Sequence, residues 1–195
     1  MRRPFHHGNL REVLLEQAEV MLRAEGVDGL SLRELARQAG VSHGAPRSHF
    51  IDRQALLDAL AERGFDRLTE RVVAALRDPG LDRERLRLVG RAYVAFAVEN
   101  AALMELMFAS KSNGPAGPVQ EAAGRLFTVL DGGLADSAGD DTRERFKLLF
   151  AATVQGTATL IAAQRVTPEQ GETLIDDAME ALLTSALGSQ VLPGH

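Results

Sequence analysis

The sequence holds no cysteine. That excludes a disulfide framework and a thiolate metal site, and fits a reducing cytoplasm. No apolar h-region follows the basic start Met1-Arg2-Arg3-Pro4, so a secretory signal is not expected. No internal repeat is visible, and no segment alternates long enough to predict a strand. Catalytic machinery is equally scarce. Gly132-Gly133 lacks the lysine of a phosphate loop, and the acidic doublets Asp140-Asp141 and Asp176-Asp177 read as a cap and a solvated helix face. His6-His7, with His43 and His49, lack the i, i+4 spacing of a preformed metal pair. The expectation is a protein that is not an enzyme and needs no cofactor or metal. The one long uncharged run, 148–164, spans 17 positions and includes Thr153, Gln155, Thr157, Thr159 and Gln164. It is shorter than the ~20 residues of a membrane span, and reads as a helix buried on several sides.

An excess of positive charge is missing too: the net charge is −5. The distribution matters more than the sum. Residues 1–50 carry seven arginines against six acids, whereas residues 51–195 carry fifteen basic against twenty-one acidic residues. A near-neutral head on an acidic body remains compatible with DNA binding, with modest non-specific affinity because phosphate contacts drive that term.

What the chain does have is helix. Apolar residues make up 45% of 195 positions, enough for one generous domain or two small ones. Helical spacing and punctuation predict helices over about 9–25, 31–39, 42–50, 53–77, 82–98, 101–110, 119–137, 141–165 and 168–187. The fourth carries a stripe of Leu56, Leu57, Leu60, Gly64, Leu68, Val72 and Leu76, longer than a small head needs, so it is expected to link two domains. Asn100 interrupts the chain between the fifth and sixth. SKSNGPAGP, residues 110–118, is the clearest loop. Asp141 with Glu144 promises a capping box. Thr167-Pro168-Glu169-Gln170 promises another, with proline at the first helical position.

The most informative stretch is SLRELARQAGVSHGAPRSHFIDR, residues 31–53. Ser31 with Glu34 forms a capping-box pattern, and Leu32, Leu35, Ala36 and Ala39 make an apolar stripe. Gly40 supplies a left-handed helix end, Val41 re-enters the core, and Ser42 can cap a second helix running to Phe50. Two helices joined by a short glycine turn are the signature of a helix-turn-helix, whose second helix enters the DNA major groove.

With its flanks, the stretch resembles the N-terminal domain of TetR-type transcriptional regulators. The resemblance rests on His7-Gly8-x-Leu10-Arg11, Gly26, Ser31-Leu32-Arg33-x-Leu35-Ala36, Ala39-Gly40-Val41-Ser42, Gly44-Ala45-Pro46, His49-Phe50, Arg53 and Ala55-Leu56-Leu57. It covers residues 6–60. It implies an all-α chain: a three-helix helix-turn-helix DNA-binding domain over 1–53, then a helical ligand-binding and dimerisation domain over 54–195. The family usually has tyrosine where this chain has Arg47. Arginine can hold a phosphate or fork onto guanine O6 and N7.

On that resemblance the chain is a ligand-responsive regulator, most often a repressor in the family. It would bind a palindromic operator as a homodimer, with recognition helices ~34–36 Å apart or a multiple, and be released by a small-molecule effector. His43, Gly44, Ala45 and Arg47 are the candidates facing bases. Ser31, Arg33, Ser42, His49 and Arg53 are the candidates for phosphates, with Ser31 and Ser42 equally readable as caps. Arg2, Arg3 and Arg11 would follow the phosphate backbone or reach a minor groove. The last two long helices would form a four-helix dimer interface. Phe96, Met104, Met107, Phe108, Phe127, Leu130, Phe150, Val154 and Gln155 are candidate pocket linings, or simply core. Gln155 stands out as an amide in an uncharged helix, in need of a partner. A subgroup of the family carries Trp-His-Gly where this chain has Val154-Gln155-Gly156, so only the glycine is kept. The alternative reading is a helical small-molecule-binding or interaction protein that has lost specific DNA binding.

Overall fold

The computed structural model describes residues 10–113, 117–135 and 138–192. The N-terminal arm, with Arg2, Arg3, His6 and His7, and the middle of the 110–118 loop lie outside the described residues. Among the described residues there are nine α-helices, three 3-10 helices and no strand. The helices are α1 (Leu10–Glu25), α2 (Leu32–Gln38), α3 (Arg53–Leu76), α4 (Asp82–Glu99), α5 (Ala101–Asn113), α6 (Pro118–Val129), α7 (Asp140–Ala162), α8 (Pro168–Thr184) and α9 (Ala186–Val191). The fold is all-α, as the periodicity predicts.

Contacts gather into two compact units, residues 1–65 with 102–121, and residues 66–101 with 122–195. Helix α3 contributes its first half to one and its second half to the other. In the first unit, the apolar stripes of α1, α2 and α3 close a core of Leu14, Leu15, Met21, Leu35, Phe50, Leu56, Leu60 and Phe65, all essentially inaccessible. Gly64 lets α5 come close: a Cβ there would sit 2.5 Å from Met107 Sδ. The Phe65 and Phe108 rings meet edge to face at 5.7 Å. Arg63 ties α3 to α1 through Glu12 at 2.8 Å and Glu19 at 3.0 Å.

In the second unit α4 packs on α7 and α8, and these two on each other and on α9. Leu86, Phe96, Phe146, Phe150, Ile175 and Met179 fill the centre. The expected breaks are present. Asn100 ends α4, its backbone N–H and its side-chain Nδ2 both donating to Phe96 O. Thr167 and Gln170 form the full capping box of α8. Three helix ends differ from expectation. Helix α5 runs on to Asn113, into the segment read as a loop over 110–118. The 119–137 helix stops at Val129 and becomes a 3-10 turn over Leu130–Gly133, because Gly132-Gly133 has poor helix propensity. The last helix breaks at Ser185, whose Oγ accepts from the Gly188 N–H at 3.0 Å and starts α9, a competition typical of serine near helix ends. Helix α7 begins at Asp140 behind Gly139 with no side-chain cap, so the Asp141–Glu144 box is not formed; Glu144 pairs with Lys147 instead.

Candidate nucleic-acid interface

Helix α2 forms where Ser31 stops the preceding extended chain. Its Oγ accepts from the Glu34 N–H at 3.1 Å. Only half of the capping box exists, because the Glu34 carboxylate turns outward to take a two-pronged bond from Arg37 and another from Gln38 Nε2. These donors, Arg37 first, hold the Glu34 pKa down at about 2. Past the C-cap Ala39 the chain leaves α2 through Gly40, at φ +66°, and the Val41 N–H returns to Ala36 O at 3.1 Å. This left-handed exit is the one glycine commonly provides.

The second element differs from the helix expected over 42–50. Regular structure is confined to a 3-10 helix, Ala45–Ser48. The cause is Pro46. An α-helix starting at Ser42 needs the residue-46 N–H to reach Ser42 O, and proline has none. The backbone instead closes i→i+3 bonds, Ala45 N–H to Ser42 O at 3.0 Å, Arg47 N–H to Gly44 O at 3.1 Å and His49 N–H to Pro46 O at 3.0 Å. Pro46 and Phe50 are buried and anchor both ends. Ser42 therefore does not cap a helix through its side chain; its carbonyl closes the first turn.

Between the anchors the surface is open. Arg33, Ser42, His43, Gly44, Arg47, His49 and Arg53 are exposed, and Ser31 and Ala45 half-buried. Residues 35–51 contain no Asp or Glu. That acid-free run is a signal available in the sequence: it leaves a surface suited to an anion despite the net negative chain. Arg53 is placed otherwise than expected. Its Nε donates to Leu30 O at 2.8 Å and its Nη2 to Val27 O at 2.6 Å, so it clamps the α1–α2 connection from the start of α3. Asp52 caps α3 by accepting from the Ala55 N–H at 2.8 Å. Arg11 lies over the Phe50 ring at 5.7 Å. Ile51, at 84% exposure, is a large apolar side chain bordering this surface, and no sequence signal had singled it out.

Two family models match the chain. Residues 14–60 match the N-terminal domain of the tetR family of bacterial regulatory proteins. Residues 86–185 match a tetracyclin repressor-like C-terminal domain. The chain belongs to the TetR family. Among known structures, a Rhodococcus sp. RHA1 protein of unknown function is 40% identical, with TM-score 0.81 over 93% of this chain and 97% of that one. FadR of Bacillus subtilis, a transcriptional regulator crystallised with stearoyl-CoA, shares the fold at 16% identity, TM-score 0.73, over 89% and 97%. Among curated proteins, the nucleoid occlusion factor SlmA of Vibrio vulnificus is 34% identical over 100 residues, 51% of either chain. SlmA of Pectobacterium carotovorum subsp. carotovorum is 28% identical over 157 residues, 80% and 77%. The chain spans about half the length of the first of these relatives. As a TetR-family protein it has the fold of a transcription regulator, with a helix-turn-helix in its N-terminal domain.

The candidate effector residues of this TetR chain fall in both units. Met104, Met107 and Phe108 belong to the first unit, and Phe96, Phe127, Leu130, Phe150, Val154 and Gln155 to the second. Phe96, Phe150 and Val154 are core. Phe127 is half-buried beneath Lys147, whose Nζ lies 4.6 Å from the ring centre. A groove of about 510 Å³ does open in the second unit, between α4 and α8. Val94, Val98, Pro168 and Ile175 line it, beside the Arg91–Asp176 ion pair. None of the nine expected residues lines this groove. Gln155 is exposed rather than enclosed, on a face of α7 with Ala152, Gly156 and Thr159. Leu148 at 55% and Leu149 at 47% exposure continue this face. From Leu148 to Ala162 helix α7 is thus buried on one side and uncharged on the other. Among the described residues no single helix is long and apolar enough to cross a membrane.

Proposed function

We propose that the chain is a cytoplasmic, homodimeric repressor that binds a palindromic operator and is released by a small-molecule effector. In function it divides into a reading head, residues 1–53, and an effector-binding and dimerising body, residues 54–195. The observation that carries the reading is the acid-free, exposed surface of the helix-turn-helix, anchored from below by Pro46 and Phe50. On it His43, Gly44, Ala45 and Arg47 face the major groove. Gly44 has open space where a Cβ would stand, so the backbone can approach the bases. Arg33, Ser42 and His49 take phosphates, as does Ser31, which keeps its hydroxyl proton to donate. Arg53 acts mainly through the α1–α2 connection it holds.

Two copies would join through the open face of α7 together with α8. An exposed stripe of Leu148, Leu149, Ala152 and Gly156 combines apolar area with small residues that allow close helix approach, and covering it removes apolar surface from water. The effector would bind within the body, where chemistry is not required: its role is to favour one arrangement of the two heads. By linkage, ligand and operator weaken each other by the same factor. The test is selection of genomic fragments by the full-length protein, followed by titration of the best fragment at several salt concentrations. A two-half-site palindrome bound in the nanomolar range with a steep salt slope is expected. Weak, sequence-blind binding would refute the proposal.

A further inference from the structure

We propose that Arg47 reads a guanine in each operator half-site, so that this one side chain sets a G·C preference; the inference rests on the operator-binding function proposed above. Among the described arginines of the head, Arg23 and Arg33 are also exposed without a side-chain hydrogen bond or ion pair, but they stand on α1 and in the first turn of α2, off the 3-10 turn. Three others are engaged. Arg37 is forked onto Glu34, Arg53 is bonded to the Leu30 and Val27 carbonyls, and Arg11 covers Phe50 beside Glu12. Arg47 is exposed, and its side chain has no hydrogen bond, ion pair or ring contact with any described residue. No Asp or Glu stands between Glu34 and Asp52 in the sequence. An unpaired guanidinium keeps its fork of donors for an external acceptor.

Its position favours a base edge over a phosphate. Arg47 is the third residue of the 3-10 helix that stands where a recognition helix would, the element that carries base contacts in this motif. In 3-10 geometry residues three apart eclipse one another, so Arg47 stands in line with Gly44, which has no side chain to hold the turn away from the groove floor. Pro46 and the Ser48 Oγ–Ala45 O bond at 2.7 Å stiffen the turn on either side. A rigid, bulk-free turn presenting one free fork suits the two acceptors of guanine, O6 and N7.

The experiment measures binding of the full-length wild type, Arg47→Ala and Arg47→Lys to the selected operator and to every single-base-pair change in one half-site. A further duplex carries 7-deazaguanine, which lacks the N7 acceptor. The wild type is expected to lose roughly 5- to 150-fold at one G·C pair, the range of a bidentate base contact, and to lose affinity again with 7-deazaguanine there. Arg47→Ala is expected to bind all four pairs at that position alike while keeping wild-type discrimination elsewhere, with an unchanged thermal midpoint. Arg47→Lys is expected to keep only part of the preference. Uniform weakening by Arg47→Ala across all sequences, with a salt slope reduced by about one, would make Arg47 a phosphate contact and overturn the proposal. Unchanged binding would overturn it too. If the wild type itself shows no sequence preference, the operator-binding reading falls, and this inference with it.

Discussion

Replacing Arg53 with alanine separates two roles that look alike in the sequence. As a phosphate contact, Arg53 would leave the fold alone and shape only DNA binding. As the clamp seen here, it donates to Leu30 O at 2.8 Å and to Val27 O at 2.6 Å, fixing the 3-10 turn Val27–Gly29 that precedes α2. A hydrogen bond from a charged donor contributes about 1.5–3 kcal/mol when well shielded. Arg53 is exposed, water can replace it at both carbonyls, and the two bonds share one side chain. We therefore expect Arg53→Ala to cost about 1–2 kcal/mol, or about 2–8 °C in the thermal midpoint of a chain this size. Arg53→Lys, with one point donor in place of a fork, is expected to recover less than half. The assay is thermal unfolding by circular dichroism beside operator titration at several salt concentrations. The clamp predicts a lower midpoint and a salt slope unchanged within error. An unchanged midpoint with a salt slope reduced by about one would refute it, and return Arg53 to the phosphates.

Three further outcomes follow from the same geometry. Gly40 holds φ +66° with open space around a built Cβ, so Gly40→Ala should cost roughly 1 kcal/mol from backbone strain alone; Gly40→Asn should cost less, and chemical denaturation decides. Leu149→Glu places a charge on the open face of α7 without disturbing the monomer core, so sedimentation should show a single-copy mass where the wild type shows two; an unchanged mass would remove α7 from the interface. Glu34 has a folded-state pKa lowered from the usual 4.5 to about 2, so its contribution is complete above pH 4.5, is lost as pH falls through about 2, and should vanish from the acid-unfolding profile of Glu34→Gln.

Much of the architecture was legible because it depends on local chemistry. The stops at Asn100 and Thr167 were readable since each is made by residues within four positions, such as Asn100 Nδ2 on Phe96 O and Gln170 on Thr167. Pro46 was equally local, yet the capping serine at 42 suggested a full helix. The missing N–H at residue 46 outweighs a cap, because the cap offers one bond while proline removes the first rung of the ladder. Arg53 was illegible for the opposite reason. Its partners lie 23 and 26 residues away, and nothing in the spacing of an arginine announces which distant carbonyl it will meet. The body shows the same limit. Composition marks 148–164 as uncharged, but whether such a helix is enclosed or one-sided depends on which neighbours arrive. Here α4, α8 and α9 pack on α7, whose Phe150, Val154, Thr157 and Ala158 are buried while Leu148, Leu149, Ala152 and Gln155 stay exposed.

That one-sidedness bears on how the two halves of a TetR chain divide their labour. A regulator needs a core that survives in one copy and a surface whose burial waits for a second. On α7 the split follows the helix period: residues 146, 150, 154, 157 and 158 are buried, and 148, 149, 152, 155, 156 and 159 are exposed. Beyond the charged first turns, where Asp140, Asp141, Glu144 and Arg145 are exposed, the exposed set from Leu148 on contains no charge, which a solvated helix face would ordinarily carry. The same logic, run in reverse, applies to the reading head. There the exposed stretch lacks carboxylates rather than charge altogether, and its unpaired cation stands on the turn that Pro46 tightens. One surface is thus suited to apolar contact, the other to an anion, and neither property is visible in a net charge of −5.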